Sequence, residues 1–389
     1  MNCTTRTNMN QVCRKEDRMK KITIIGAGIL GAATAYELAK RGAAVTIVES
    51  EAAGRATSAS AGIICPWISK RRNMDWYQLA ACGARYYETL IPDLEALGEK
   101  ETGYKKVGAL RLHEDIEKLK ELETLALKRR NNSPEIGEIS ILSPQETKNR
   151  FPLLEEKYSS LYISGAARVD GRQLRSSLIR GAMKNGAAWL SGEATLEHEN
   201  NVIKGVEVDG EKLESDLVIA TNGAWMNQLL HPFSLDLRFH VQKGEVLHMQ
   251  TDQLDTSDLP VVNPPNNQYL LSFPDGKIVA GATHETAKTL TPVLSTTGMH
   301  FLLDQGLQMA PGLKEASIVE TRIGFRPFTY NHLPVFGPVP SLSGLMIANG
   351  LGASGLTTGP YIAKQLAHLA LDEETDIEVS PYKIELGRH

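Results

Sequence analysis

At 389 residues the chain is too long for one compact core and suits about two domains. A hydrophobic content of 42% and a charged content of 23% are those of a soluble globular protein, and a formal net charge of −4 leaves no overall footprint for nucleic acid. No apolar run approaches the roughly 18 residues of a membrane span. The four cysteines (Cys3, Cys13, Cys65, Cys82) form no CxxC pair, so no disulfide framework or metal site is indicated and a reducing cytoplasm is the simplest setting.

Residues 1–18 are polar, lack the apolar centre of a signal peptide and carry four basic against two acidic residues, so a disordered leader is expected. Ile22 to Ile25 is a short β-branched run that reads as a buried strand. Gly26-Ala27-Gly28-Ile29-Leu30-Gly31 follows, then a helix over 32–41 and a second buried strand over 45–48 that ends in Glu49. Gly26 permits the tight turn, Gly28 lets a phosphate approach the backbone, and Gly31 lets helix and strand pack closely. Glu49 falls 18 residues past Gly31, where it can hold ribose hydroxyls. The unit predicts dinucleotide binding without choosing between FAD and NAD.

Residues 54–64 follow, and eight of the nine residues 54–62 are Gly, Ala, Ser or Thr. Such a backbone can pass close to a bulky flat ligand, with the Thr57 and Ser58 hydroxyls free for phosphates. The glycine unit, the acid after the second strand, and Gly54-Arg55 with Thr57-Ser58 and Gly62 together resemble the D-amino-acid oxidase family of flavoproteins, nearest its glycine oxidase, sarcosine oxidase and D-amino-acid dehydrogenase branch. The resemblance implies FAD, expected to be non-covalent because no cysteine lies beyond Cys82, held in this first part by Gly26, Gly28, Ile29, Leu30, Gly31, Glu49, Ser50, Thr57, Ser58, Ala61, Gly62 and Ile63.

Lys70-Arg71-Arg72 reads as a solvated turn. Helical spacing runs over 74–100, with Leu79, Tyr86, Leu90 and Leu94 on one face and Trp76, Tyr86 and Tyr87 as core, and again over 114–130. Val107 to Leu112 reads as a strand. Ser143 and Glu146 form a capping box with Pro144 at the first helical position, and Asp170 caps a helix ending near Asn185-Gly186. A strand over 187–192, a small antiparallel meander and a buried strand over 217–220 follow. By the resemblance, Thr195 beside Ala194 meets the adenine, and Thr221, Gly223 and Trp225 lie beside the cofactor. Residues 241–249 match the family's strand into the substrate part, 269–284 read as a hairpin turning at Pro274-Asp275-Gly276, and a helix over 299–309 follows.

The chemistry is carried by Gly324-Phe325-Arg326-Pro327, which resembles the family's GxRP segment. An arginine fork binds a carboxylate bidentately, and the proline keeps Arg326 extended. The resemblance implies that Arg326 anchors the substrate carboxylate over the flavin. It matches Tyr269 to the family's active-site tyrosine and places His284 near the substrate as a candidate base. Arg322 and His332 have weaker claims. Residues 344–360 read as strand, glycine turn and a helix from about Thr358. By resemblance this is the flavin segment, with contacts from Gly352, Ala353, Ser354, Gly355, Leu356 and Thr357, and the helix N-terminus lies near the ring edge that gains charge on reduction. Two departures matter. Glycine oxidases carry an arginine at the place of Ala353, and covalent sarcosine oxidases a cysteine near the place of Arg326.

The expected fold is α/β (α+β overall), a Rossmann-like FAD-binding domain of glutathione-reductase type with an inserted substrate domain on an antiparallel sheet. The FAD domain is expected in three pieces, 19–72, 143–232 and 327–375, the substrate domain in 73–142 and 233–326, and a C-terminal tail over 376–389. The expected reaction is oxidation of a small amino acid by hydride transfer from Cα–H to flavin N5, with oxygen or another acceptor taking the electrons. A 2-hydroxy-acid dehydrogenase using His284, or a non-catalytic FAD-binding subunit, are the alternatives. Nucleic acid is not an expected partner, and a homo-oligomer is compatible with the sequence.

Overall fold

The computed structural model describes residues 19–388, so the leader expectation lies outside the described residues. Two large sheets organise the chain. The first has six strands, in the order Val335–Pro338, Leu345–Asn349, Leu217–Ala220, Lys21–Ile25, Ala44–Glu49 and Ala188–Ser191, and only its first strand runs antiparallel. Its central strands are apolar on both faces because both are covered. Ile22 and Ile24 pack under the helices Ile29–Lys40, Gly171–Lys184 and Gly355–Ala370, while Ile25, Val48 and Val218 pack under the antiparallel meander 194–214. Burying each such side chain contributes about 1.5–3 kcal/mol. Helices, sheet and meander make three layers.

The second sheet has nine strands. Its central path runs Phe239–Gln250, Lys277–Gly281, Tyr269–Phe273, Val261–Asn263, Ala109–His113, Ser159–Ile163, and Ser317–Thr329 pairs along the length of Phe239–Gln250. One face carries a core of its own, with Leu110, Val262, Leu270 and Ile278 against the helix Thr296–Met309. The opposite face looks toward the first sheet. Ser159–Ile163, which the expected division put in the nucleotide-binding part, pairs with Ala109–His113 in this second sheet. The stretch expected as a tail is also tied down, since Leu386–Arg388 pairs with Leu235–Leu237 and Tyr382 stacks on Phe336.

Local signals explain the helix ends. Ser143 and Glu146 form the capping box, and Asp170 accepts from the Arg172 and Gln173 amides. The closing helix starts at Gly355, three residues earlier than its sequence suggests, and runs through Pro360. A proline cannot donate to the carbonyl four residues back. The buried Tyr87 hydroxyl donates to that carbonyl, Leu356 O, at 2.6 Å. The helix Met74–Ala96 comes close enough to do this because Gly83 has no Cβ to strike Thr357 O.

Candidate active site

The opening turn is built tightly. Gly26 has φ +87°, the left-handed region that favours glycine. A Cβ on Gly31 would overlap the Gly26 carbonyl oxygen and the Thr221 hydroxyl. That hydroxyl donates to Gly26 O at 2.7 Å, stitching the third strand to the turn. Gly28 is the N-cap of the first helix and supplies no side chain. The Ile29 amide donates instead to Thr57 Oγ1 at 2.9 Å. Glu49 is buried, accepts from the Ala27 amide and pairs with Arg55, with Arg175 further off at 3.8 Å. Arg55 entered the sequence reading only as part of the family motif, and Arg175 not at all.

A cavity of about 1250 Å³ runs from this turn between the two sheets to the N-terminus of the closing helix. Its volume exceeds the roughly 300–1,000 Å³ of a drug-sized ligand site. At the far end Gly352 has φ +54° with the Phe328 ring pressed beneath it, and the closing helix has no side-chain cap on its first amides. Asn222 Oδ1 is buried beside the cavity with no hydrogen-bond partner among the described residues. An uncapped closing-helix N-terminus, an opening helix capped only by Thr57 of the neighbouring loop, a glycine turn at each end and an orphaned acceptor between them fit one elongated ligand with a phosphate centre and a flat ring, which is the shape of FAD.

The second sheet forms the other wall. Arg326 pairs across from Gln242, and its guanidinium lies over Gly244, where a side chain would collide with it. Its Nη1 donates to Gln242 Oε1 at 3.3 Å and lies 3.4 Å from His284 Nδ1; no carboxylate is within reach among the described residues. Burial pulls its pKa down from the ordinary guanidinium value. Tyr269 lies over Gly281, and burial pushes its phenol up to about 12, against the opposing pull of Arg326. The phenol therefore stays protonated as a donor. Burial, then the Arg326 charge, holds the His284 imidazole below its usual value, so it is neutral at pH 7.

Of the expected residues, Gly26, Gly28, Ile29, Leu30, Glu49, Ser50, Thr57, Ala61, Gly62, Ile63, Thr195, Thr221, Gly223, Trp225, Gly352, Ala353, Gly355, Leu356 and Thr357 line this cavity with Tyr269, His284 and Arg326. Three do not. Gly31 serves packing. Ser58 sits in a 3-10 turn with its amide on Arg55 O and its side chain off the wall. Ser354 turns away, donating to Leu351 O and accepting from Trp76 Nε1. Arg322 points from the same strand face but pairs with Glu320, and His332 packs against Phe328 and His240.

Four wall residues went unremarked in the sequence or were read otherwise. Gln242 holds both Arg326 and His284, the latter at 3.1 Å. Arg111 and Asn263 sit side by side on adjacent strands. Arg71, expected in a solvated turn, lines the cavity with its guanidinium 4.3 Å from the Trp76 ring centre. The alternation Ala109-Leu110-Arg111-Leu112-His113 was the available signal, because it sets Arg111 opposite the leucines. Neither Cys65 nor Cys82 lines the cavity. Among the described residues no helix is long and apolar enough to cross a membrane.

The family model for FAD dependent oxidoreductases (DAO) matches residues 21–369. The "Uncharacterized oxidoreductase YurR" of Bacillus subtilis is 52% identical over 365 residues, 94% of this chain and 98% of its own. A glycine oxidase of Pseudomonas aeruginosa is 29% identical, covering 93% and 98% of the two chains. Among solved structures, iminodiacetate oxidase (IdaA) from Chelativorans sp. BNC1 is similar with a TM-score of 0.90 and 41% identity, over 93% of this chain and 98% of its own.

Proposed function

The chain belongs to the family of FAD dependent oxidoreductases, and from that premise we propose that it oxidises the carbon–nitrogen bond of a small amino acid. FAD, when bound, supplies the hydride acceptor and passes two electrons to oxygen or another acceptor. Gly26, Gly28, the Ile29 amide and Thr57 would hold its phosphates, Glu49 its ribose, and the turn Gly352–Leu356 its ring.

The observation that carries the reading is Arg326, a cavity-facing guanidinium whose protein partners are neutral. A buried charge without a counter-ion is costly, and a substrate carboxylate offsets that cost with a bidentate pair. Tyr269 donates to the second carboxylate oxygen. Gln242 holds the Arg326 fork in place. The walls exclude water while the Cα–H is oriented, so positioning does most of the catalysis. The imino acid formed then hydrolyses to an oxo acid and an amine. A second reading rests on His284, which is neutral at pH 7 and 3.4 Å from Arg326, and so suits removal of a hydroxyl proton from a 2-hydroxy acid.

Anaerobic mixing of the yellow holoenzyme with glycine, sarcosine, D-alanine, D-proline, iminodiacetate and 2-hydroxyglutarate separates these. Bleaching by an amino acid is expected. Bleaching by the hydroxy acid alone favours the second reading, and no bleaching by any compound counts against both.

A further inference from the structure

Arg326 is not the only guanidinium in the cavity without an acid. Arg111 is half-buried on the strand Ala109–His113, lines the cavity, and makes no hydrogen bond or ion pair with any described residue. Its neighbour Cys65 is no counter-ion, since burial pushes that thiol up to about 12 and keeps it neutral. Arg71 reaches the same cavity from the rim, held over Trp76, and also has no acidic partner among the described residues.

The sheet register places Arg111 relative to Tyr269. Arg111 pairs with Asn263, and Asn263 is one residue on from the Val262–Leu270 pair, opposite Tyr269. The three residues form a cross-strand row on the cavity face, with Arg111 two strand spacings, or roughly 10 Å, from Tyr269. The leucines flanking Arg111 point to the opposite core. Asn263, between the two, makes no side-chain hydrogen bond with any described residue. The phosphate cradle at Gly28 and Ile29 lies on the other sheet, so the row faces substrate space.

We propose that Arg111, supported by Arg71, forms a second carboxylate subsite, and that the substrate is a secondary amine bearing a carboxylate on each side of its nitrogen. This rests on the reading above, in which Arg326 and Tyr269 hold the first carboxylate. One arm sits at Arg326 and the other crosses Asn263 to Arg111. Arginine suits this task because its planar fork matches a carboxylate and is weakly hydrated. Oxidation removes a hydride from carbon and a proton from nitrogen, two electrons in all, and leaves a C=N bond. Water then adds and the C–N bond breaks, giving an oxo acid and a primary amino acid, each keeping one carboxylate. Oxygen or another two-electron acceptor takes the electrons.

The test measures binding, using ligands that carry an ether oxygen in place of the amine. The holoenzyme is titrated calorimetrically with methoxyacetate, oxydiacetate and the longer 3,3′-oxydipropionate. The better diacid is expected to bind at least tenfold more tightly than methoxyacetate. Arg111→Met is expected to bring that ratio near one while leaving the methoxyacetate Kd within about twofold and the flavin content unchanged. Arg111→Gln serves if the Met variant loses flavin, and Arg71→Gln is expected to lower the ratio by a smaller factor. A wild-type ratio near one overturns the proposal without any variant, and so does a ratio that Arg111 substitution leaves intact. Arg326→Met separates the two readings. It is expected to weaken all three ligands, and if it weakens none, the first carboxylate anchor fails whatever Arg111 does.

Discussion

At the scale of single residues, the site depends on arginines whose surroundings differ. Arg322 has Glu320 beside it, whereas Arg326 has only Gln242 and His284. Only the second has charge to spend on a ligand. Truncating one partner of a desolvated, hydrogen-bonded charge pair costs about 2–5 kcal/mol. Arg326→Ala is therefore expected to raise the apparent Km for the amino acid by roughly thirty- to several-thousand-fold, with flavin content retained; steady-state kinetics on flavin-replete protein at unchanged Km would remove Arg326 from the site. Arg326 was legible because a proline follows it in a recognisable segment. Arg111 was not. A strand's alternation tells which residues share a face but not which face meets a cavity, and that is decided by pairing with Val261–Asn263, some 150 residues away in sequence. Ser58 and Ser354 show the opposite failure. Hydroxyls in small-residue loops suggest ligand contact, yet a 3-10 turn points one side chain to the wall and the next away.

At the scale of elements, the opening strand–turn–helix was legible in its order because each glycine has its own physical reason, although its helix begins at Ile29, three residues before the expected start. Those reasons now separate into two kinds. A Cβ on Gly31 would overlap the Gly26 carbonyl and Thr221 Oγ1, so that glycine serves the protein itself. A Cβ on Gly28 would meet only Thr57 Oγ1, at an ordinary 3.4 Å, and the backbone there has φ −64°, which alanine adopts freely. Overpacking of a tight contact costs about 1–3 kcal/mol. Gly31→Ala is thus expected to destabilise the flavin-free protein by that amount in urea unfolding. Gly28→Ala is expected to leave the same midpoint within error and to lower FAD affinity in a titration. Equal losses of stability from both would erase the distinction. The start of the closing helix was less legible. Glycines at 352, 355 and 359 and the proline at 360 argue locally against helix, and the Tyr87 hydroxyl that tolerates Pro360 comes from about 270 positions earlier.

At the scale of the molecule, the cavity has no single owner. Its walls come from residues 25–71, from Arg111, from 191–233, from 242–284 and from 325–357, and the two sheets face each other across it. The expectation of a discontinuous nucleotide-binding part rests on two glycine turns at the ends of this cavity, one before the first helix and one more than 300 positions later at Gly352–Ser354. A ligand bound there stabilises every segment that touches it at once. Linkage gives about 2.7 kcal/mol at a ligand concentration one hundred times Kd. For a chain of 389 residues, at about 2.1 cal/mol/K of unfolding entropy per residue, each kcal/mol moves Tm by about 1.2 °C. FAD added back to stripped protein is therefore expected to raise Tm by roughly 3 °C, with the shift seen by tryptophan fluorescence, Trp225 being on the cavity wall, as well as by calorimetry. The shift should grow with the logarithm of FAD concentration, as binding to the folded state alone requires. A Tm that ignores added FAD would mean that FAD does not bind the folded state in preference to the unfolded one, and that the orphaned Asn222 acceptor and the uncapped start of the closing helix are tolerated by the fold itself.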